Sequence, residues 1–329
     1  MSSAYRYVEG WGDEEGWPTD VTGVAVDGRD RVYVLRRDYP QVTVLDPEGR
    51  VMDRWGSDRI SQRPHLISIS GERAVIADDG GHRVFIFRLD GMLLETLGEG
   101  TPSETGYDSS GAVSSEDALG GMGGGPPFNR PTKGVLHGND LFASDGYRNC
   151  RIHRFSAGRE LVRSWGGSGS EPGCFVVPHS LAIDGSGRVL ICDRENDRVQ
   201  ISSINGEVLD IWCNVQRPTD LAIDANGYIY LTELPRGPGD LKSWRLGRAE
   251  IYFPGRVTKR RMNGDVVAEI LCEGVDFLAP HAVAVDSVGA VYVSEVPQSF
   301  GNYNGTTLRL GACLRKFEPQ SVSVGNGFD

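Results

Sequence analysis

The chain has 329 residues, a formal net charge of −11, 44 glycines and 17 prolines. The acidic balance argues against a nucleic-acid partner, because phosphate neutralisation requires clustered Lys and Arg. No apolar run approaches the ~20 residues that a membrane-spanning helix needs, and the first residues lack the basic and apolar regions of a secretory signal. We therefore expect a cytoplasmic protein with no membrane partner.

A two-residue motif occurs six times, and in it proline is followed alternately by threonine and by histidine. In chain order the pairs are Pro18-Thr19, Pro64-His65, Pro131-Thr132, Pro178-His179, Pro218-Thr219 and Pro280-His281. An apolar, β-branched pattern follows each pair within a few residues, which predicts that each pair opens a β-strand. The spacing of the pairs indicates a repeat of roughly forty residues.

Each repeat contains four short runs of strand-forming residues. In the fourth repeat these runs are residues 178–184, 188–193, 197–201 and 207–212, and glycine, asparagine or aspartate turns separate them. This pattern is typical of an antiparallel meander. A four-stranded sheet cannot bury both of its faces alone, so six of them packed around an axis predict an all-β fold, a six-bladed β-propeller that spans residues 1–329 as one domain.

The two ends of the chain complement each other. The sixth repeat ends near Phe317, one strand short, whereas residues 5–12 resemble the outer strand that ends at Trp165-Gly166. We therefore expect the N-terminal segment to supply the outer strand of the last blade. Two segments interrupt the repeat: residues 99–127 are predicted to form a flexible loop, and residues 234–254 an insertion in the fifth blade.

The histidine pairs predict a metal site. If each pair opens the inner strand of a blade, His65, His179 and His281 lie at one rim, about 120° apart around the axis. Three neutral imidazoles that converge in this way bind Zn²⁺ and leave one coordination position open, as in catalytic zinc sites. Zinc is the expected ion, although Fe, Co, Ni or Cu would also suit three histidines.

The central part of the chain resembles a known family, the peptidylglycine α-hydroxyglycine amidating lyases of the NHL-repeat propellers. The resemblance is dense over residues 128–201 and rests on four motifs: Phe128-Asn129-Arg130-Pro131-Thr132, Asp145-Gly146-Tyr147, Pro178-His179-Ser180-Leu181-Ala182 and Asp193-Arg194-Glu195-Asn196. It implies an NHL-type propeller in which His65, His179 and His281 bind zinc.

The resemblance also implies catalytic residues and a reaction. Tyr147 corresponds to the catalytic base, Arg194 to an arginine that lines the site, and Arg37 to a second such arginine, with Arg36 as the competing alignment. The implied reaction cleaves an N-acyl-α-hydroxyglycine-like carbinolamine to an amide and glyoxylate. Its expected partner is a small substrate that bears a carboxylate or an amide.

One departure from the family pattern concerns a second metal, and two other functions stay open. The family has an acidic residue after its last zinc-binding histidine, associated with a central calcium, whereas this chain has Ala282, which argues against calcium. A fold does not fix a reaction. The alternatives are another metal-dependent enzyme on the same scaffold, such as a hydrolase, hydratase or lactonase, and a non-catalytic NHL-type propeller that binds its partner on one rim.

Overall fold

The computed structural model describes residues 4–12, 16–17, 20–101, 128–238, 249–271, 277–304 and 313–320. These residues are almost entirely β-structure. The strands are β1 (Tyr5–Tyr7), β2 (Val21–Val26), β3 (Val32–Arg36), β4 (Val42–Leu45), β5 (Val51–Trp55), β6 (Pro64–Ser70), β7 (Arg73–Asp78), β8 (Arg83–Arg88), β9 (Leu93–Leu97), β10 (Lys133–His137), β11 (Asp140–Asp145), β12 (Arg151–Phe155), β13 (Leu161–Gly166), β14 (Pro178–Ile183), β15 (Val189–Asp193), β16 (Arg198–Ser202), β17 (Val208–Trp212), β18 (Pro218–Ile223), β19 (Ile229–Glu233), β20 (Arg256–Arg260), β21 (Val266–Ile270), β22 (Pro280–Val285), β23 (Val291–Glu295) and β24 (Leu314–Pro319). A 3₁₀ turn, Arg194–Asn196, and one helix, α1 (Pro297–Asn304), complete the description.

The strands form six four-stranded antiparallel sheets, which are the blades. Blades one to five are consecutive meanders, β2 to β5, β6 to β9, β10 to β13, β14 to β17 and β18 to β21. In blade six the order is β1-β24-β23-β22, and Tyr7 of β1 lies opposite Phe317 of β24. The N-terminal strand therefore supplies the outer strand of the last blade, which confirms the prediction.

The inner strands close into a ring. Each inner strand contacts the next in the series β2, β6, β10, β14, β18 and β22, and β22 contacts β2. The core lies between neighbouring blades, in six layers rather than one central mass. For example, Trp212 of blade four packs with Leu221 and Leu231 of blade five. The six-bladed β-propeller that the repeat predicted is confirmed.

The pairing of strands corrects the first repeat. Val21 lies opposite Arg36 in blade one, as Pro218 lies opposite Glu233 in blade five. Thr22 therefore occupies the position that Thr219 has in blade five, and the assignment of Pro18-Thr19 to that position was wrong. The alternation of threonine and histidine holds, but the proline does not, because a β-branched valine also favours the extended backbone required there.

The two predicted interruptions are described only in part. The blade-five insertion lies between β19 and β20, where Arg236 and Phe253 form an isolated antiparallel bridge. Residues 239–248 of this insertion, and residues 102–127 of the predicted flexible loop, lie outside the described residues. Within the described part of the chain, no helix has the length and hydrophobicity that crossing a membrane would require.

Helix α1 was not predicted from the sequence. It follows β23, and Pro297 occupies its first position, where the missing N–H costs nothing. The carboxylate of Asp20 accepts the backbone N–H groups of Gln298 at 2.9 Å and Ser299 at 3.0 Å. The helix is stabilised by a cap from the start of blade one, a long-range contact that no local pattern reveals.

Candidate metal centre

Three histidines from alternate blades meet at one end of the propeller axis. His65, His179 and His281 are each the second residue of an inner strand, in β6, β14 and β22. All three are buried, and one ligand atom from each lies within 4.8 Å of the other two. The structure thus brings together the three residues that the sequence singled out.

A backbone carbonyl of the neighbouring blade orients each imidazole. The Nδ1-to-oxygen distances are 2.8 Å from His65 to Thr132, 2.7 Å from His179 to Thr219 and 2.7 Å from His281 to Thr22. A carbonyl only accepts, so each Nδ1 carries the proton and each Nε2 keeps its lone pair. This tautomer leaves Nε2 available as a metal ligand.

The surroundings keep the three imidazoles neutral. Burial lowers the pKa of His65 to about 3, and the positive charges of Arg37 and Arg194 act in the same direction. Burial, together with the neighbouring imidazoles and Arg194, also holds the pKa of His179 and of His281 well below the ordinary value. Three buried, neutral imidazoles are a donor set that fits a divalent transition metal, zinc in particular.

Tyr147 reaches this cluster from blade three. Its hydroxyl lies 3.0 Å from Nε2 of His65 and 3.4 Å from Nε2 of His179. The preceding residue permits this approach, because a Cβ on Gly146 would lie 2.3 Å from the carbonyl oxygen of Pro178. The phenol oxygen therefore lies beside the same nitrogens that would bind a metal.

Two arginines flank the Tyr147 ring. The guanidinium of Arg194 lies 5.5 Å from the ring centroid, and its Nη1 is 3.4 Å from the Tyr147 oxygen. The guanidinium of Arg130 lies 4.9 Å from the same centroid. Arg130 belongs to one of the motifs that resemble the lyase family, but the sequence assigned it no role, because nothing local indicates that it stacks on a residue seventeen positions later.

Arg37 faces the same rim from blade one. Its Nη1 is 3.4 Å from Asp20 and contacts the hydroxyl of Ser299 on α1. Burial lowers the pKa of Arg37, and the nearby charges of Asp20 and Tyr147 oppose this effect. The competing residue, Arg36, instead lies over the Trp17 ring. The structure therefore favours Arg37 as the arginine of blade one that faces the cluster.

Two buried acids, neither of which was predicted from the sequence, hold the arginines beside Tyr147. Asp79 accepts Nε of Arg130 at 2.5 Å and Nη2 at 3.1 Å. Glu195 accepts Nε of Arg194 at 2.8 Å and Nη2 of Arg217 at 3.2 Å. Asp79 and Arg194 directly follow the second strands of their blades, as Arg37 does, and Glu195 follows Arg194. The recurrence of charged residues directly after the second strand of a blade was the sequence signal that could have identified Asp79 and Glu195 as site residues.

Comparisons with known proteins agree with this architecture. Residues 175–201 match the model of the NHL repeat. NHL repeat-containing protein 3 of Mus musculus is 28% identical over 310 residues, which cover 85% of this chain and 80% of that protein. Peptidyl-alpha-hydroxyglycine alpha-amidating lyase 1 of Drosophila melanogaster is 32% identical over 171 residues, 48% of this chain and 28% of that protein.

A solved structure extends the comparison to the fold alone. The WD40 β-propeller domain of Doa1 superposes with a TM-score of 0.52 at 10% identity, covering 92% of this chain and 79% of that chain. The resemblance to amidating lyases that the motifs indicated is confirmed at the level of sequence similarity. The chain is thus a six-bladed β-propeller that carries an NHL repeat and is related both to NHL repeat-containing protein 3 and to the peptidyl-α-hydroxyglycine α-amidating lyases.

Proposed function

We propose that this protein is a metal-dependent lyase that cleaves the C–N bond of an N-acyl-α-hydroxyglycine-like carbinolamine to an amide and glyoxylate. The observation that carries the proposal is the position of the Tyr147 hydroxyl, 3.0 and 3.4 Å from two of the three converging histidines and 3.4 Å from Arg194. The sequence similarity to an amidating lyase of Drosophila melanogaster supports this reaction class.

The three histidines would hold the metal. Nε2 of His65, His179 and His281 would hold a divalent ion such as Zn²⁺, and the ion would supply a Lewis acid for the hydroxyl group of the substrate. The protein prepares this position by fixing the tautomer of each imidazole through the carbonyls of the neighbouring blades. Ligands that are already neutral and oriented bind a metal without first losing a proton.

Tyr147 is the proposed general base. As the phenolate, its oxygen accepts the proton of the substrate hydroxyl, the O–H electrons form the aldehyde C=O, and the C–N bond breaks. The proton then passes from Tyr147 to the departing amide nitrogen, so no water is consumed. The Nη1 of Arg194, 3.4 Å from the Tyr147 oxygen, would stabilise negative charge on that oxygen during the reaction, and the guanidinium of Arg130 over the ring would add to this effect.

Arg37 and Arg194 are the proposed carboxylate-binding residues. Asp79 already holds two nitrogens of Arg130, whereas Glu195 holds Arg194 through Nε and leaves its Nη1 directed at Tyr147. The terminal nitrogens of a guanidinium can bind a carboxylate as a fork. This arrangement predicts a substrate whose carboxylate lies beside the carbon that bears the hydroxyl.

Calcium forms no part of this proposal. Ala282, one residue after His281, is buried and has no side-chain oxygen. The matching residue of blade five is Asp220, whose carboxylate lies 2.5 Å from Nζ of Lys133 and 2.5 Å from the hydroxyl of Ser180. The lysine ammonium thus already neutralises the buried carboxylate at this level of the axis, where a bound cation would otherwise be needed.

The proposal is tested by metal content and product analysis. The purified protein should contain about one metal ion per chain and release glyoxylate and amide in equal amounts from N-acetyl-α-hydroxyglycine. Tyr147→Phe should keep the metal and lose about 100-fold or more in kcat, whereas His179→Ala should lose both metal and activity. Tyr292→Phe removes a buried hydroxyl bonded to Asp286, away from the histidine cluster, and serves as the matched control.

The alternatives predict different products. A hydrolase would consume water and release a carboxylic acid from the acyl group, which contradicts the lyase proposal but keeps the metal centre. A wild-type protein without metal after growth in metal-replete medium, and without product, would overturn both. That result would favour the non-catalytic binding propeller.

A further inference from the structure

The blades without histidine ligands carry a threonine at the matching position. Thr22, Thr132 and Thr219 are completely buried. The three blades that contain them alternate with the three histidine blades around the ring. Each threonine accepts the Nδ1 proton of the preceding histidine through its backbone carbonyl, which any residue could do. The carbonyls therefore do not explain why threonine recurs at this position.

The threonine hydroxyls make a second contact, in the opposite direction around the ring. Oγ1 of Thr132 lies 3.0 Å from the carbonyl oxygen of Pro178, and Oγ1 of Thr219 lies 3.0 Å from that of Pro280. Each of these prolines directly precedes a histidine of the cluster. Thr132 therefore contacts the imidazole of His65 and the backbone just before His179. In the same way, Thr219 contacts the imidazole of His179 and the backbone just before His281.

These hydroxyls also bind within their own blades. Oγ1 of Thr132 lies 2.8 Å from the hydroxyl of Ser144, and Oγ1 of Thr219 lies 2.9 Å from that of Thr232. Both partners belong to the second strand of the same blade. Each of these two hydroxyls thus links the first two strands of its own blade to the first residue of the next inner strand. In this buried region, a carbonyl oxygen without a hydrogen-bond partner would cost free energy of folding.

Thr22 differs from the other two. Its hydroxyl lies 3.3 Å from the carbonyl oxygen of Leu35 in the same blade, a contact that Thr132 and Thr219 also make within their own blades, at 3.1 Å. Among the residues that the structure describes, it makes no hydrogen bond to Pro64, which precedes His65. The same residue type at the same ring position thus makes the cross-blade contact in two cases and lacks it in the third.

We propose that Thr132 and Thr219 are positioning residues that hold His179 and His281 in the geometry required to bind one metal ion. The inference rests on the proposed metal centre. The hydroxyl fixes the carbonyl of Pro178 or Pro280, and this fixes the backbone from which the imidazole projects. Loss of the hydroxyl frees that backbone to shift, so Nε2 no longer holds its place relative to the other two histidines.

The test compares three matched substitutions, Thr132→Val, Thr219→Val and Thr22→Val, each of which removes the hydroxyl and keeps the shape. The metal-free proteins are titrated with Co²⁺ in competition with a chelator, and the visible spectrum of bound Co²⁺ reports the coordination geometry. We expect Thr132→Val and Thr219→Val to weaken metal affinity about 10- to 100-fold and to alter the spectrum, with Thr22→Val within about threefold of wild type.

Rescue separates positioning from general destabilisation. Thr132→Ser keeps the hydroxyl and should restore the affinity of wild type, even if its melting temperature is as low as that of Thr132→Val. An equal loss of Co²⁺ affinity in all three valine variants, or no loss in any of them, would overturn the inference. If wild type still binds Co²⁺ tightly in that case, the proposed metal centre is upheld. A wild-type protein that binds no Co²⁺ would instead overturn the metal centre on which the inference rests.

Discussion

Glu195 orients the Arg194 side chain toward Tyr147. Its carboxylate is buried, accepts Nε of Arg194 and Nη2 of Arg217, and lies 3.8 Å from Arg236. Burial alone would raise the pKa of Glu195, but the charges of Arg217, Arg194 and Arg236 outweigh it and lower the pKa to about 2. A single acid thus holds one arginine toward the site and neutralises part of the positive charge behind it.

This shift predicts a pH-dependent stability. The folded pKa lies below the ordinary value of 4.5, so the stabilisation is complete above about pH 4.5 and is lost as the pH falls toward 2. Its size is on the order of 3 kcal/mol. Glu195→Gln should lower the free energy of unfolding near pH 7 and flatten its dependence on pH between about 4.5 and 2, measured by urea denaturation at each pH.

An exposed glutamate provides the control for Glu195→Gln. Glu207→Gln changes an exposed glutamate in the turn before β17, and should leave the pH profile unchanged. An unchanged slope in Glu195→Gln would show that the buried arginines do not depend on this carboxylate.

At the scale of elements, a tryptophan in an outer strand or a few residues after it packs against a glycine turn of the next blade. Four such pairs occur in the described residues: Trp11 with Gly49, Trp55 with Gly91, Trp165 with Gly206, and Trp212 with Gly264. Each glycine has a φ between +85° and +89°. Because only glycine combines this backbone with so close an approach, the pair joins adjacent blades at their outer edges.

Gly206→Ala tests this contact, with Gly187→Ala as the matched control. A Cβ on Gly206 would lie 2.5 Å from the Trp165 ring, whereas one on Gly187, at a φ of +79°, would meet nothing within 4 Å. We expect Gly187→Ala to cost about 1 kcal/mol of unfolding free energy, from backbone strain alone. Gly206→Ala should cost about 2 kcal/mol more, because the ring must move. Equal costs in urea denaturation would contradict the packing argument.

At the scale of the whole molecule, strand β1 closes the ring. Tyr5 is buried in the layer between blades five and six, and its hydroxyl lies 3.1 Å from that of Tyr230, which is 225 positions away in the chain. His281 lies on the inner strand of this last blade and binds the carbonyl of Thr22 in the first. The histidine cluster therefore depends on closure, since His281 contacts the first blade across the joint between the chain ends.

Tyr5→Ala should weaken this closure. Removing a buried aromatic side chain typically costs about 3 kcal/mol or more of unfolding free energy, whereas Tyr39→Ala, at an exposed position, should cost almost nothing. Thermal and urea denaturation of the metal-free proteins measure both changes. An equal, small effect of the two substitutions would show that β1 contributes little to holding the ring together.

Local chemistry made the blades and the ligand candidates predictable from the sequence. Alternating β-branched residues and glycine turns define four strands per repeat through contacts between near neighbours in the chain, as in residues 178–212. The recurrence of His65, His179 and His281 at one repeat position then placed them on alternate blades. Strand β1 was predictable for the same reason, because its pattern matches that of the other outer strands.

The tertiary structure alone decided what surrounds those histidines. Thr22 rather than Thr19 occupies the repeat position in blade one, because strand pairing and not the proline sets the register of that blade. The carbonyl of Thr22, which accepts the His281 proton, is a contact that the sequence did not predict. Arg130, which stacks on Tyr147 of its own blade, is held there by Asp79 of blade two. Glu195, which binds its neighbour Arg194, also binds Arg217 at the start of blade five. Only the packing of neighbouring blades creates the contacts to Asp79 and Arg217. Repeat position is encoded by residues a few places apart, whereas the orientation of a side chain at the axis depends on residues up to 259 positions away. The sequence by itself therefore determined the blades and which residues meet, and ring closure decided how they face one another.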